Sequence, residues 1–391
     1  MSRVFMKGCE AIAEAAVRAG CRFFAGYPIT PQNEIPEYFA RRLPEVGGTF
    51  VQGESEVASI NMVYGAASAG VRAMTSSSSP GIALKSEGIS YCAAARIPMV
   101  YSNISRGGPG VGAIQPAQMD YLQATKASGN GGFEMLVLAP STVQEAVDMT
   151  YQAFDYADRD RNPVLILADG VIGTMMEPVT LPEMKSDDEI LAIKEGKKVW
   201  SCTGHKLDYA NRAWIEPGHW QTSDMQRANE EAAAMYKTWE KDIQVEEYLV
   251  EDAQIVITAY GISARIAKSA VDLLRKEGVK VGLIRPITVH PFPYKTIDQL
   301  DYSKVKAILD VEMSIPAQMI QDVEIAVKDR CPIETCLCSG GNIMSREMIM
   351  EAVKNLVKQE GRRWNRFTQE LKQFRKTKYQ ASVQDVCMAL S

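Results

Sequence analysis

The sequence predicts an α/β protein: a wound, parallel-sheet domain followed by a smaller α/β domain. At 391 residues the chain is too long for one ordinary core and suits two. Helical stripes alternate with short strands over residues 1–181 and again over 249–357. The strands are apolar at successive positions, as strands covered on both faces of a parallel sheet are.

The elements follow in order. Ile12, Ala15, Ala16 and Ala19 share one helical face, Gly20 stops that helix, and Phe23 to Ala25 begins a strand. An apolar helix spans Glu56 to Ala69, and strands fall at Ala73 to Thr75, Met99 to Ile104, Leu136 to Leu138 and Val164 to Leu167. Ser141 with Gln144, and Thr142 with Glu145, both fit a capping box that opens a helix running to Ala157. From 182 to 248 the alternation is lost until a charged helix near Arg227 to Ile243, so this stretch reads as a connector or insertion. The second unit has a strand Ile255 to Ala259, a helix Ile262 to Lys276, a turn at Gly278, and strands Val279 to Ile284 and Ala307 to Val311. Residues 358–391 form a basic tail with interleaved aromatics, either a solvated helix or a docking segment.

Composition narrows the classes. A hydrophobic share of 46% with 23% charged residues is that of a packed globular protein, not a disordered or fibrous one. A net charge of -5 without a basic stripe argues against nucleic acid as a partner. No apolar run approaches the roughly 20 residues that span a bilayer, and no signal-peptide core opens the chain, so the expectation is a cytoplasmic protein that does not enter a membrane. Eight scattered cysteines do not form a disulfide framework, and Cys331, Cys336 and Cys338 lack metal-site spacing and read as part of an apolar strand.

Four segments could carry chemistry. Gly26-Tyr27-Pro28-Ile29-Thr30-Pro31 follows the first strand, where wound sheets place ligand loops; Thr30 and Pro31 equally fit an ordinary helix start. Glu56, in Gly53-Glu54-Ser55-Glu56, stands at a helix N-terminus. There it either complements the helix dipole or acts as a partly buried acid that hydrogen-bonds a heterocyclic nitrogen. Ser76 to Ser79 precede a helix, as anion-binding or simply capping hydroxyls; without a Gly-x-Ser-x-Gly elbow or a matching base they are not nucleophiles. Arg106 precedes Gly107-Gly108-Pro109-Gly110-Val111-Gly112, a guanidinium suited to a carboxylate beside a loop that lets a ligand approach the backbone.

Together, in order and spacing, these four segments resemble the α subunits of 2-oxoacid:ferredoxin oxidoreductases. The resemblance covers residues 5 to 180 and continues through Ile255 to Pro293, where Arg285-Pro286-Ile287-Thr288-Val289-His290-Pro291-Phe292-Pro293 is similar to a second-domain motif of the family. It departs at Glu312-Met313-Ser314-Ile315-Pro316-Ala317-Gln318, where the family has a Gly-Gln step without the extra residue.

The resemblance implies a thiamine-pyrimidine-binding domain over 1–181, then a transketolase C-terminal-like domain. It implies thiamine diphosphate shared with a β subunit that binds the diphosphate and Mg2+, a γ subunit, a ferredoxin-like subunit carrying [4Fe-4S] clusters, coenzyme A as co-substrate, and ferredoxin or another electron acceptor. Glu56 would be the catalytic residue, bonded to the pyrimidine N1′; Thr30 and Arg106 would bind the 2-oxoacid carboxylate; Tyr27 and Pro28 would flank the cofactor. The run Gly110-Val111-Gly112-Ala113-Ile114 is similar to the branched-chain type and implies a branched-chain or aromatic substrate, the aryl-glyoxylate enzymes belonging to the same superfamily. The chain lacks the Gly-Asp-Gly motif of a diphosphate-binding partner and any ferredoxin-like cysteine run. Two other readings are a non-catalytic scaffold subunit and a nucleotide-dependent dehydrogenase, the latter resting on fold analogy alone.

Overall fold

The computed structural model describes residues 3–204 and 212–358; the expected tail beyond 358, with Cys387, and His205 of the connector lie outside the described residues. A short strand β1 (Val4–Lys7) leads into α1 (Gly8–Arg18), and the chain then winds through β2 (Phe23–Gly26), α2 (Glu34–Glu45), β3 (Thr49–Gln52), α3 (Glu56–Ser68), β4 (Ala73–Ser77), α4 (Ser79–Ala94) and β5 (Val100–Ser105). The unit is completed by α5 (Tyr121–Thr125), β6 (Leu136–Leu138), α6 (Val143–Asp160), β7 (Val164–Asp169), α7 (Gly170–Thr174) and β8 (Met176–Val179). β1 and β8 form a small antiparallel pair that the sequence did not signal.

The first sheet has the order β12-β6-β7-β5-β4-β2-β3, parallel except for β12 (Thr288–His290), which runs antiparallel to β6. Successive residues face opposite layers: Phe24 packs with α1, α2 and α6, while Ala25 packs with α3 and α4. The order also places a switch point. From β2 the chain steps outward to β3, then returns across β2 to β4 and β5, which puts α2 on one face and α3 and α4 on the other. Ligands of open α/β sheets bind outside the carboxyl ends of strands at such a point.

The connector is more ordered than its composition suggests. It contains α8 (Asp187–Gly196), opened by a capping box between Ser186 and Glu189, then α9 (Thr222–Lys237) and a 3-10 turn Thr238–Asp242. The expected helix to Ile243 therefore stops at Lys237, because the turn inserts Trp239 into the core, where its indole N–H donates to Asp160 at 2.8 Å. The strand β9 (Val245–Tyr248), counted with the connector in the sequence, pairs antiparallel with the second sheet.

That second sheet has the order β14-β13-β10-β11-β9, formed by β10 (Ile255–Thr258), β11 (Val281–Pro286), β13 (Ala307–Glu312) and β14 (Ile333–Leu337), mutually parallel, with β9 at the edge. Its helices include α10 (Gly261–Lys276), α11 (Tyr294–Asp298) and α12 (Ile320–Val327), and a further helical run covers 346–358, with Ile349, Val353 and Leu356 in the core. The two main core clusters run through both units, so α10 shares a core with α1 and α6. The motif at 285–293 straddles them: Arg285 and Pro286 end β11, and Thr288 to His290 cross over to complete the first sheet as β12.

Arg285 shows why the doubled capping signal at 141–145 resolves as it does. Thr142 is the N-cap and accepts from the Glu145 amide at 3.1 Å, but the Glu145 carboxylate is taken up by Ser141 and by both Arg285 Nη atoms at 2.8 Å. Burial of that pair links the second sheet to α6, and the bonds to Arg285 and Ser141 hold the Glu145 carboxyl below its usual range against that burial.

Candidate active site

Three strand ends meet at the switch point. The loop after β2 carries Tyr27, Pro28 and Thr30, Ser77 ends β4 with Ser78 directly after it, and Arg106 follows β5. Tyr27 and Pro28 are exposed at the rim. Thr30 and Pro31 do not open a helix, since α2 begins only at Glu34. Instead the Thr30 carbonyl accepts from Arg106 Nη1 at 2.8 Å, so these two residues are brought together. Arg106 is buried; Nη2 donates to Val111 at 2.9 Å, anchoring the glycine-rich loop, and its Nε has no partner among the described residues.

Glu56 is the first residue of α3, after Ser55, whose hydroxyl accepts from the Ala58 amide at 3.1 Å. Glu54 is exposed, whereas Glu56 is 6% exposed. Its carboxylate lies against the first turn of α4. A Cβ on Gly81 would stand 2.6 Å from Glu56 Oε1 and collide with Ser77 Oγ, so only glycine permits this approach. The same turn meets Arg106, because Ser79 Oγ accepts from the Arg106 amide at 2.9 Å.

The serines are not ordinary caps. Ser78 holds the N-cap position of α4 without a side-chain cap bond, and Ser77 Oγ and Ser78 Oγ are buried without a partner among the described residues. Buried hydroxyls with no partner are costly and mark an unfilled polar contact. Ser76 donates to Gln32 at 2.5 Å, which fixes the β2 loop against β4. Ser79, at φ +23°, is held by Asp120, whose Oδ2 also accepts from Asn103 and Ser105 at 2.9 and 2.7 Å.

Sequence reasoning missed Asp120, Gln32 and Lys85. Asp120 and Gln32 gave no local signal, since their partners come from distant strands. Lys85 did: it is a lone cation on the buried stripe Ile82, Gly88, Ile89 and Cys92 of α4. Its ammonium donates to Thr75 Oγ1 at 2.8 Å, and burial pushes it down to about 7, opposed by the nearby Glu56.

Asp169 serves structure. It caps α7 through Val171 and Ile172 at 2.9 and 3.1 Å, and burial pushes its carboxyl up to about 6. Cys336 lies in β14, with Cys331 and Cys338 beside it, all three as free thiols. Among the described residues no three His, Cys, Asp or Glu side chains gather as a metal site, and no helix is long and apolar enough to cross a membrane.

A wound sheet whose switch point holds a buried carboxylate, orphaned hydroxyls and a partly committed arginine defines a cofactor-binding α/β chain. Residues 14–253 match the family described as pyruvate flavodoxin/ferredoxin oxidoreductase, thiamine diphosphate-binding, and residues 253–349 match pyruvate:ferredoxin oxidoreductase core domain II. The chain belongs to this oxidoreductase family. It is 43% identical over 357 residues to the ketoisovalerate oxidoreductase subunit VorB of Methanothermobacter marburgensis, covering 91% of this chain and 98% of that one. It is 36% identical to the 2-oxoglutarate synthase subunit KorA of Methanocaldococcus jannaschii, covering 89% and 98%. Among solved structures it resembles the 2-oxoglutarate:ferredoxin oxidoreductase of Magnetococcus marinus with 2-oxoglutarate, coenzyme A and succinyl-CoA bound, at a TM-score of 0.76 and 26% identity. That match covers 90% of this chain and 65% of the other. A split-gene transketolase, at 14% identity and a TM-score of 0.55, shares the fold.

The donor set fits a thiamine pyrimidine ring. A buried carboxylate can meet a ring nitrogen, and the orphaned hydroxyls of Ser77 and Ser78 lie on the same turn for further polar contacts.

Proposed function

We propose that this chain is the pyrimidine-binding subunit of a 2-oxoacid oxidoreductase that converts a branched-chain 2-oxoacid and coenzyme A to an acyl-CoA and CO2. The two electrons released go through iron-sulfur clusters to ferredoxin or another acceptor. The observation that carries the reading is the buried Glu56 carboxylate against Gly81 at the switch point of the first sheet. Bound thiamine diphosphate supplies the carbon nucleophile and electron sink that a 2-oxoacid decarboxylation needs. Glu56 hydrogen-bonds the pyrimidine N1′ and controls its proton, and Tyr27 and Pro28 flank the ring.

Arg106 and Thr30 receive the substrate carboxylate. A guanidinium carries five N–H donors, of which the Thr30 and Val111 carbonyls engage two groups and leave Nε unpaired, so capacity for a carboxylate remains. A branched-chain side chain is supported by the VorB relatives and by Val111 and Ile114, 82% and 58% exposed on the loop that Arg106 anchors. The diphosphate, Mg2+ and [4Fe-4S] clusters belong, in this reading, to a β subunit and a ferredoxin-like subunit, with a γ subunit completing the assembly.

The test is a panel of 2-oxoacids given to the complex purified with its native partners, with coenzyme A and a dye acceptor. Fastest dye reduction with a branched-chain 2-oxoacid is the expected result. Preference for 2-oxoglutarate or an aryl-glyoxylate would overturn the substrate, and no reduction with any 2-oxoacid would overturn the function.

A further inference from the structure

Arg96 and Arg161 stand side by side before β5 and β7, at the opposite end of the first sheet from Glu56 and Arg106. Each follows a helix, α4 or α6, and each has a left-handed backbone, at φ +55° and +47°. Glycine takes that conformation at a helix end without strain, so an arginine there twice points to a use for its side chain.

Part of that use is structural. Arg96 Nη2 donates to the Asp160 carbonyl at the end of α6 at 2.7 Å, and Arg161 Nε donates back to the Arg96 carbonyl at 3.0 Å. The Arg161 guanidinium carbon also stands 4.4 Å from the centre of the Trp200 ring. These hydrogen bonds use one nitrogen of each guanidinium. Among the described residues no carboxylate pairs with either, and the near one, Asp160, is taken up by Arg159 and by the Trp239 indole. Burial and the adjacent Arg96 charge hold Arg161 below its usual range, so two like charges lie together with donors to spare.

Both arginines line a groove of about 620 Å³ whose far wall is α9, a size that suits a small-molecule ligand. Gly131 and Gly132, on its rim at φ +92° and +71°, have open space where a side chain would stand. Their amides make no hydrogen bond among the described residues, so an anion can reach them. The rest of the lining decides what kind of anion. It includes two carboxylates, Glu134 and Glu231, and two aromatic rings, Phe133 and Tyr236. A simple anion needs neither and is repelled by the carboxylates. A phosphate carried on a sugar with a flat base uses all three kinds of group.

We propose that this groove binds a nucleoside phosphate. Arg96, Arg161 and the glycine amides receive the phosphate, Glu134 or Glu231 accepts from the ribose hydroxyls, and the base lies against Phe133 and Tyr236. A free nucleotide and the nucleotide end of coenzyme A share this chemistry. The site stands on the groove alone and does not depend on the role of Glu56.

The test is calorimetric titration of the complex, purified with its native partners, with ADP, adenosine and inorganic phosphate. ADP is expected to bind at least about tenfold more tightly than either of the others, since each lacks contacts that charged hydrogen bonds or base burial supply. Arg96→Gly combined with Arg161→Gly relieves the left-handed backbone while removing both guanidiniums, and should weaken ADP at least about tenfold. Absence of ADP binding, ADP held no more tightly than inorganic phosphate, or unchanged ADP affinity in the double variant would overturn the site. Displacement of ADP by coenzyme A would identify the coenzyme's nucleotide end as the occupant, and ADP binding untouched by excess coenzyme A would identify a free nucleotide. Should the double variant fail to assemble, Arg161→Gly alone replaces it: a several-fold loss of ADP affinity supports the site, and an unchanged affinity refutes it.

Discussion

The two parallel sheets end very differently. At the carboxyl end of the first, Glu56 and the Ser77 and Ser78 hydroxyls are buried with polar capacity left over. At the carboxyl end of the second, Glu312 and Gln318 are spent on the protein itself: Glu312 accepts the Gln318 amide at 2.9 and 3.0 Å, and the Gln318 side chain donates to Met119 and accepts from Leu122. Gln118 adds bonds to Ser263, Tyr260 and Met313. One strand-end edge is left for a ligand, and the other docks the second unit onto the first.

Buried carboxylates mark both edges, in opposite surroundings. Lys85 lies near Glu56, whereas Asp310 faces Glu312, and burial with that like charge raises the Asp310 carboxyl well above the usual range. Asp310 Oδ1 accepts from Thr258 at 3.0 Å, and Oδ2 has no donor among the described residues, so burial beside a like charge favours the protonated Asp310.

The comparison breaks most readily at Gly81. Gly81→Ala should displace Glu56 and Ser77, and a misplacement on the order of 1 Å at a reacting group can cost about a hundredfold in rate. Turnover of the reconstituted variant checks it; an unchanged rate would detach Glu56 from the chemistry. Next, Arg285→Met leaves Glu145 and Glu246 without their shared cation, and the expected loss is about 3 kcal/mol by denaturant unfolding. The low end of the usual range applies because both carboxylates keep some solvent contact, at 29% and 25% exposure.

A smaller effect is expected from pH. Asp169 and Asp310 both titrate higher folded than unfolded, so each contributes stability that is fully present below about pH 4 and is lost as pH rises, through about 6 for Asp169 and higher for Asp310. Asp310→Asn removes the ionisable group, and should flatten the fall in thermal midpoint as pH rises above about 4 while leaving acid stability unchanged. An unflattened slope would remove Asp310 from the pH dependence.

Much of the first edge was legible in the sequence because its parts are local. Glu56 follows its cap Ser55, Arg106 directly follows a strand, and Gly81 sits in the Ser-Pro-Gly turn. What was not legible depends on strand order. Nothing in a single sequence places β4 beside β2, so the meeting of Thr30 with Arg106, or of Ser76 with Gln32, could not be read from it. The departure at 312–318 was visible as a mismatch, yet its purpose, docking through Gln318 and the 118–122 segment, needed the fold. α8 hid in a charged stretch because it packs no fully buried residue.

The central claim is that the first edge does chemistry and the second only holds the molecule together. Its most direct test compares Glu56→Gln with Asp310→Asn in the reconstituted complex, measuring turnover and thermal midpoint for each. The expected result is a loss of at least about a hundredfold in turnover for Glu56→Gln, as for removal of a positioned acid-base group, with a wild-type midpoint. Asp310→Asn should keep wild-type turnover. Near-normal turnover in Glu56→Gln, or a collapse in Asp310→Asn without unfolding, would contradict it.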